Sequence, residues 1–455
     1  MRYGKPSEDF GSVRFGDKRL DERLCKTVAS MEQDSQGSIL GSSGSRHDAK
    51  AFYSLLGNEN FEMEELETAA YRATGRRILE SGIGRVLLPQ DTCDVTMNGH
   101  EKTEGLGYCN DGVKGVICHS SVAFTEGGEP LGLVWQQYDS RPENKMNKEG
   151  KEKAQCRPIE EKESYKWIET TRKVLERVPE TVESVVICDR EGDMYELYAE
   201  AQKLGCLFVV RMVQDRVTTG DDKSIQQLRR TKAIGEVDVE IPRDSRNNVK
   251  ARTAKMEVAG CGVAVVRPKR TDKGQPGTVV LNLVRITEVG SEGEPIEWLL
   301  ATNLPVGTAE EIMLVVGYYV VRWKIERYHY VLKSGCQAEK IQQRSYGRIK
   351  PVLFIYSVIA VYILAMTLAA RAGGELPCDA FLEPDEWKVL FTLINRGKKP
   401  PKKPYPLSTA VAYLGELGSF RHSPSDGPYG VKAIWRGLFK LFIALDSLAR
   451  FMGQV

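Results

Sequence analysis

Residues Pro351–Ala370, PVLFIYSVIAVYILAMTLAA, run for 20 positions without a charge. Such a run must leave water, either as a bilayer span or as a helix buried on every side. It stands alone in mid-chain, and Tyr, Ser and Thr are spread along it. A single span here would put residues 371–455 across a membrane with no second span to anchor them. The expected form is a core helix of a soluble, cytoplasmic protein with no membrane partner.

The segment follows directly on a basic one. Residues 321–350 hold eight Lys/Arg against two acidic residues, although the whole chain carries a net charge of only +2. Any nucleic-acid surface must therefore be local. Within this region Tyr318–Lys333, YYVVRWKIERYHYVLK, lacks Pro and Gly and reads as helix. At 100° per residue Tyr319, Arg322, Glu326 and Lys333 fall within an arc of about 60°. That stripe offers a phosphate-gripping face with one potential metal ligand in it, or else a salt-bridged solvent face.

At 455 residues the chain is too long for one core, so roughly two to four domains are expected. Residues 1–75 read as a separate helical bundle. FGSVRFGDKRLDERL (Phe10–Leu24) leads into one helix, and Ser45–Leu56 gives another with Ala51, Phe52, Leu55 and Leu56 on its apolar side. Arg14, Lys18, Arg19, Arg23, Arg46 and Lys50 give it a basic surface for DNA. Further on, Gly115–Phe124 and Leu131–Trp135 are expected as an antiparallel pair about the Gly127-Gly128 turn. Residues 141–163 read as a polar loop and Ser164–Val178 as helix. Val185–Cys188 is a buried-type strand ending at Asp189, followed by a helix stopped at Gly205 and a strand over Cys206–Met212. Residues 233–303 alternate in strand fashion and read as an insertion rather than a continuation. The tail holds a basic, Pro-rich loop, Arg396–Pro406, and a last amphipathic helix through Trp435, Leu438, Phe442, Leu445 and Leu448. Ten cysteines lie scattered, without a CxxC pair or a Cys/His cluster at zinc spacing, and read as reduced thiols.

Two aspartates give the stripe a chemical context. Asp91 follows an apolar run in LLPQDTCDVTMNG, and Asp189 ends one in VVICDREGDMYEL. Carboxylates at strand ends can converge with Glu326, and three together repel unless divalent cations lie between them. Two such ions activate a water or a 3′-hydroxyl for in-line phosphoryl displacement. Asp94, Glu191 and Asp193 are close rivals, and chemistry alone does not choose among them. A retaining glycosidase also needs two carboxylates, but no Arg/Lys stripe beside them. No Walker A or G-x-G-x-x-G stretch supports nucleotide binding.

DREGD at 189–193 and the Tyr-x2-Arg-x3-Glu-x6-Lys pattern at 319–333 resemble the DDE cut-and-paste transposases of the bacterial IS-four family, the group that includes the transposon-five transposase. FGDKRLDERL, AFYSLLGN (Ala51–Asn58), EKESYKW (Glu161–Trp167) and LFVVR (Leu207–Arg211) match family landmarks in the same order, so the likeness covers most of the chain. Cys93 stands where a Thr is usual, and Ser54 where an Arg is common. The resemblance implies an α/β fold: an RNase H-like catalytic core at 76–370 with a β-strand insertion at about 225–303. An N-terminal helical DNA-binding domain (1–75) and a C-terminal helical dimerisation domain (371–455) would flank it. It implies that Asp91, Asp189 and Glu326 are catalytic and hold two Mg²⁺ or Mn²⁺ ions. Tyr319, Arg322, Lys333 and Arg211 would hold transposon-end DNA, with Trp298 stacking on a flipped base. The implied partners are transposon-end DNA, target DNA and a second copy of the chain in a synaptic homodimer, at the nucleoid. The implied activity is excision through hairpin ends and joining of 3′ ends to target. The alternatives are an RNase H-like nuclease without strand transfer and an inactive DNA-binding descendant.

Overall fold

A computed structural model describes residues 2–33, 45–110, 112–142, 157–241, 252–291, 295–373, 375–419, 429–451 and 453. Part of the polar stretch expected as a loop, residues 143–156, lies outside them.

Nine strands form one sheet: β1 (Arg85–Thr96), β2 (Gly115–Phe124), β3 (Pro130–Asp139), β4 (Glu183–Cys188), β5 (Leu207–Arg211), β6 (Gly235–Ile241), β7 (Arg252–Val266), β8 (Thr278–Glu288) and β9 (Glu297–Thr302). Their order is β3-β2-β1-β4-β5-β9-β8-β7-β6. β1, β4 and β5 are parallel, and every other neighbouring pair is antiparallel. The hairpin expected at Gly127-Gly128 is β2–β3.

Successive residues of a strand point to opposite faces, and β4 shows what each face meets. Val185 and Ile187 enter one apolar cluster, Val186 and Cys188 the other. Helices therefore cover both faces. On the second face lie α5 (Tyr165–Leu175), α6 (Tyr195–Lys203) and α7 (Ser224–Arg230). The first face carries α4 (Met63–Glu80), α8 (Ala309–Val321), α9 (Trp323–Tyr330) and α10 (Tyr346–Arg371). The uncharged run falls in α10, which is long and apolar enough to cross a membrane, yet 89% of its apolar window is buried within this fold. Its Ser357 accepts from Gln136 Nε2 at 2.9 Å, and Gln136 Oε1 in turn accepts from Tyr328 on α9 at 2.8 Å. Lys324 donates to the carbonyl of Gly128 at 2.8 Å, so both ends of α9 are fixed to the β2–β3 hairpin.

Residues 233–303 do not stand apart from the sheet. β9 pairs with β5 through Val209↔Thr302, Val210↔Ala301 and Arg211↔Leu300, and β8, β7 and β6 follow outward. The block thus continues the sheet, because the free edge of β5 would otherwise leave its peptide groups without partners.

The N-terminal helices are not separate either. α1 (Pro6–Asp9) leads into Phe10, which packs with α2 (Lys18–Gln33) and α3 (Arg46–Leu55) into the same apolar cluster as α10. Asp9 pairs with buried Arg77 of α4, Lys5 with Glu386 at 2.7 Å, and the rings of Phe10 and Phe354 meet at 6.3 Å. Glu386 lies on α11 (Pro384–Ile394), so the N-terminal segment is clasped to the C-terminal helices.

The last helices, α12 (Leu407–Gly418) and α13 (Val431–Phe451), cross at Gly418 and Gly437. A Cβ on Gly418 would strike the backbone of Ala433, and one on Gly437 the backbone of Leu414. Val431, Ile434, Trp435, Leu438 and Leu441 are buried by this crossing. The first half of α13 therefore folds back on its own chain, while Leu448 and Phe451 are exposed.

Candidate active site

Asp91 and Asp189 stand at matching positions on neighbouring parallel strands. Asp189 directly follows β4, but Asp91, expected just past a strand, lies inside β1, which continues to Thr96 with Asp91 opposite Ser120 of β2. Pro89 pairs with Ile187, and each aspartate lies two residues further on. The strands run about 4.8 Å apart, and odd-numbered residues of both face α9. Glu326 approaches from that helix. Arg322 joins the group: its Nη2 donates to Glu326 Oε1 at 2.8 Å, and its Nη1 lies 3.7 Å from Asp91 Oδ2. Asp189 accepts from the backbone N–H of Glu191 at 2.8 Å.

Burial pushes the Asp91 carboxyl up to about 7. Arg322 opposes that rise, and the like charges of Asp189 and Glu326 add to it. Asp189 is also raised, first by burial. His329, one turn beyond Glu326, places Nδ1 3.8 Å from Asp91 Oδ2. Burial, with Lys333 and Arg322 nearby, lowers this imidazole to about 3, so it is neutral, and its buried Nε2 has no hydrogen-bond partner. Sequence reasoning passed over His329, although its i,i+3 spacing from Glu326 places it on the same helix face.

The rival carboxylates have other roles. Asp94 faces the opposite side of β1 and accepts from Asn110 N and Nδ2 at 3.1 and 2.9 Å. Asp193 accepts from the N–H groups of Val213 and Gln214, from Tyr198 Oη and from Arg216, so it organises a turn. Glu191 is exposed and lies 3.5 Å from Lys166.

The stripe is not one continuous helix. α8 stops at Val321 and α9 begins at Trp323, with the N–H of Arg322 reaching back three residues to the Tyr319 carbonyl at 3.1 Å. Beyond Tyr330 a π turn, Val331–Gly335, carries Lys333, which pairs with Glu339 at 3.1 Å. Tyr319, Arg322 and Glu326 stay together, whereas Lys333 marks the site's far edge. On the other side the Tyr319 ring meets Trp298 edge to face at 5.5 Å, and Arg211 lies 5.7 Å from the Trp298 ring. Arg211 is lowered by burial, with Arg190 and Arg322 as like charges close by. Arg322 also lies 5.0 Å from the half-exposed ring of Trp323. Guanidinium and aromatic groups thus alternate from Arg211 to Trp323 beside the carboxylates, an arrangement suited to phosphates and base faces.

Among the described residues no three Asp, Glu, His or Cys side chains gather closely enough to ligate one ion. Arg322 supplies the positive charge between Asp91 and Glu326. The donor set nevertheless suits a hard divalent cation, because Asp189 and Glu326 both push the Asp91 carboxyl up, and Asp91 and Glu326 share Arg322 as cationic partner.

Residues 6–61 match the transposase DNA-binding family model. That span contains α1 to α3. Of its basic residues, Arg14 donates to the carbonyl of Val13, Arg19 pairs with Asp17 and Lys18 with Glu22, while Arg46 and Lys50 are exposed and Arg23 is partly so. The chain is also similar to the piggyBac transposase in a cryo-EM structure of its synaptic complex with hairpin DNA. That likeness has 9% identity and a TM-score of 0.37, over 83% of this chain and 78% of that one.

Proposed function

We propose that this chain is a DNA transposase of the DDE type. The observation that supports the reading is the placement of Asp91 and Glu326 about Arg322, with Asp189 close enough to raise the Asp91 carboxyl, beside a guanidinium–aromatic strip. The match of residues 6–61 to a transposase DNA-binding family supports DNA as the partner. The course of β1, β4 and α9, with one acid within β1, a second just after the parallel β4 and a third on a helix, is what an RNase H-like core would require.

In this reading Asp91, Asp189 and Glu326 hold Mg²⁺ or Mn²⁺. Such ions, when bound, activate the attacking water or 3′-hydroxyl and stabilise the leaving oxygen. Arg322 and Arg211 grip phosphates beside the scissile bond, and Tyr319 and Trp298 receive an unstacked base. Neutral His329 borders Asp91 without adding charge. Two copies of the chain, each on one terminal inverted repeat, excise the element through hairpin ends and join its 3′ ends to target DNA.

Replacing Asp189 or Glu326 by Ala should lower Mg²⁺-dependent cleavage of a terminal-repeat duplex by at least about 10³-fold. Binding of that duplex should stay near wild type, because carboxylates add little attraction to phosphate. Full cleavage by Asp189→Ala protein would sink the assignment. Cleaved ends that never join a target plasmid would favour a nuclease without strand transfer.

A further inference from the structure

A second cationic surface begins where the site ends. After the π turn that carries Lys333, the chain passes through Gln337 (φ 48°) into the short turn Ala338–Lys340. This places Glu339 against Lys333. The first turns of α13 arrive from the far end of the sequence and face this segment across a groove of about 410 Å³. Lys333, Lys340, Lys432 and Arg436 line it, with Glu339 as the acidic residue. Glu339 is already engaged, since it also accepts from Thr96 Oγ1 at 2.9 Å. Among the described residues Lys340, Lys432 and Arg436 form no ion pair. Lys432 Nζ lies 5.7 Å from the ring of Tyr330, the last residue of α9, so the groove runs directly off the helix that carries Glu326.

With Lys333 paired to Glu339, bringing Lys340, Lys432 and Arg436 together from two distant segments still costs repulsion unless a further anion comes between them. Their supports are rigid. The buried side of α13 is locked to α12 at Gly418 and Gly437, so Lys432 and Arg436 cannot turn away as a loop would. One helical turn separates these two exposed residues, about 6 Å along the axis, a step comparable to that between neighbouring backbone phosphates.

We infer that this groove binds the sugar–phosphate backbone of duplex DNA leading away from the cleavage site, so that α13 touches nucleic acid as well as its own chain. The inference rests on the reading of the protein as a DNA transposase.

The test uses full-length Lys432→Gln/Arg436→Gln protein and its charge-reversed form, Lys432→Glu/Arg436→Glu. Fluorescence anisotropy on a labelled duplex is measured across a range of KCl concentrations, with melting temperature as the control for folding. Loss of two phosphate contacts should weaken binding by roughly 10–50-fold near physiological salt for the Gln pair, and by more for the Glu pair. The salt slope should become shallower by about 1.8. The melting temperature should not change, because both side chains are exposed. Wild-type affinity and slope in both variants would overturn the groove and leave the transposase reading standing. Failure of the wild-type protein to bind any duplex would overturn that reading and the groove with it. Loss of a dimeric mass at unchanged DNA affinity would also overturn the inference, since the groove would then be a protein interface.

Discussion

Carboxylates on the outer strands of the sheet and those beside α9 are treated in opposite ways. In the outer half, β6 to β8, acids meet bases across the strands: Glu288 pairs with Arg252, and Glu236 with Lys255 at 2.8 Å. Arg252 holds the Glu288 carboxyl below its ordinary range. In the inner half Asp91 of β1 and Asp189, just after β4, sit on neighbouring strands with Glu326 opposite, and Arg322 is the cation between Asp91 and Glu326. There the Asp91 carboxyl is pushed up instead. A chain that pairs its charges so readily at one edge has the means to do so at the other. The unbalanced inner cluster therefore marks a place where stability is given up for a task.

The largest effect is expected from Asp91→Asn. Asp91 titrates near 7 in the folded chain against an ordinary value of 3.8. Between those values the folded state holds a proton that the unfolded chain has lost, so stability falls as pH rises through the window. Asparagine cannot ionise and escapes that cost. With no divalent ion present, its melting temperature should exceed wild type by roughly 2–6 °C at pH 8, and the gain should fade towards pH 4. A pH-independent difference, or none, would place Asp91 among ordinary paired carboxylates.

The sequence made much of this legible, and where it fell short the cause is physical. Asp189 at the end of VVIC and the core helix in 351–370 are written in local patterns of apolar residues, and both stand where expected. Register and partner choice are not local. Nothing in the alternation of Val237 and Val239 says that their block extends the sheet through β9. The choice between Asp91 and Asp94 depends on which face of β1 meets α9, which strand parity alone leaves open until a neighbour is known. The break at Arg322 and the π turn after Tyr330 are invisible to a fixed 100° period, which sets Lys333 on one straight stripe. The N-terminal helices looked separate because their partners, Phe354 and Glu386, lie more than 300 residues away.

Arg322 tests whether the inner cluster's counter-charge is structural, functional or both. It is only 6% exposed, and Arg322→Ala leaves Asp91 and Glu326 facing each other without a cation. The melting temperature should fall, DNA affinity should drop and the salt slope should lessen by about 0.9. Arg322→Lys keeps the charge but loses the planar fork, so it should recover stability more fully than affinity. If the melting temperature of both variants falls while affinity and slope stay at wild type, Arg322 serves the fold alone.

The smallest effect is expected at the outer edge. Lys255 and Glu236 pair between β6 and β7 with side chains about half exposed, in a sheet edge where alternating charges discourage further strand pairing. Coulomb attraction there is weak and screened, and holding two long side chains in register offsets most of it. Lys255→Ala should shift the melting temperature by about a degree or less, and molar salt should erase even that. Duplex affinity and salt slope should match wild type, because the pair lies at the far end of the sheet from Asp91. A loss of affinity as large as that of Arg322→Ala would mean that the outer strands also carry DNA, and the division between a working half and a supporting half would fail.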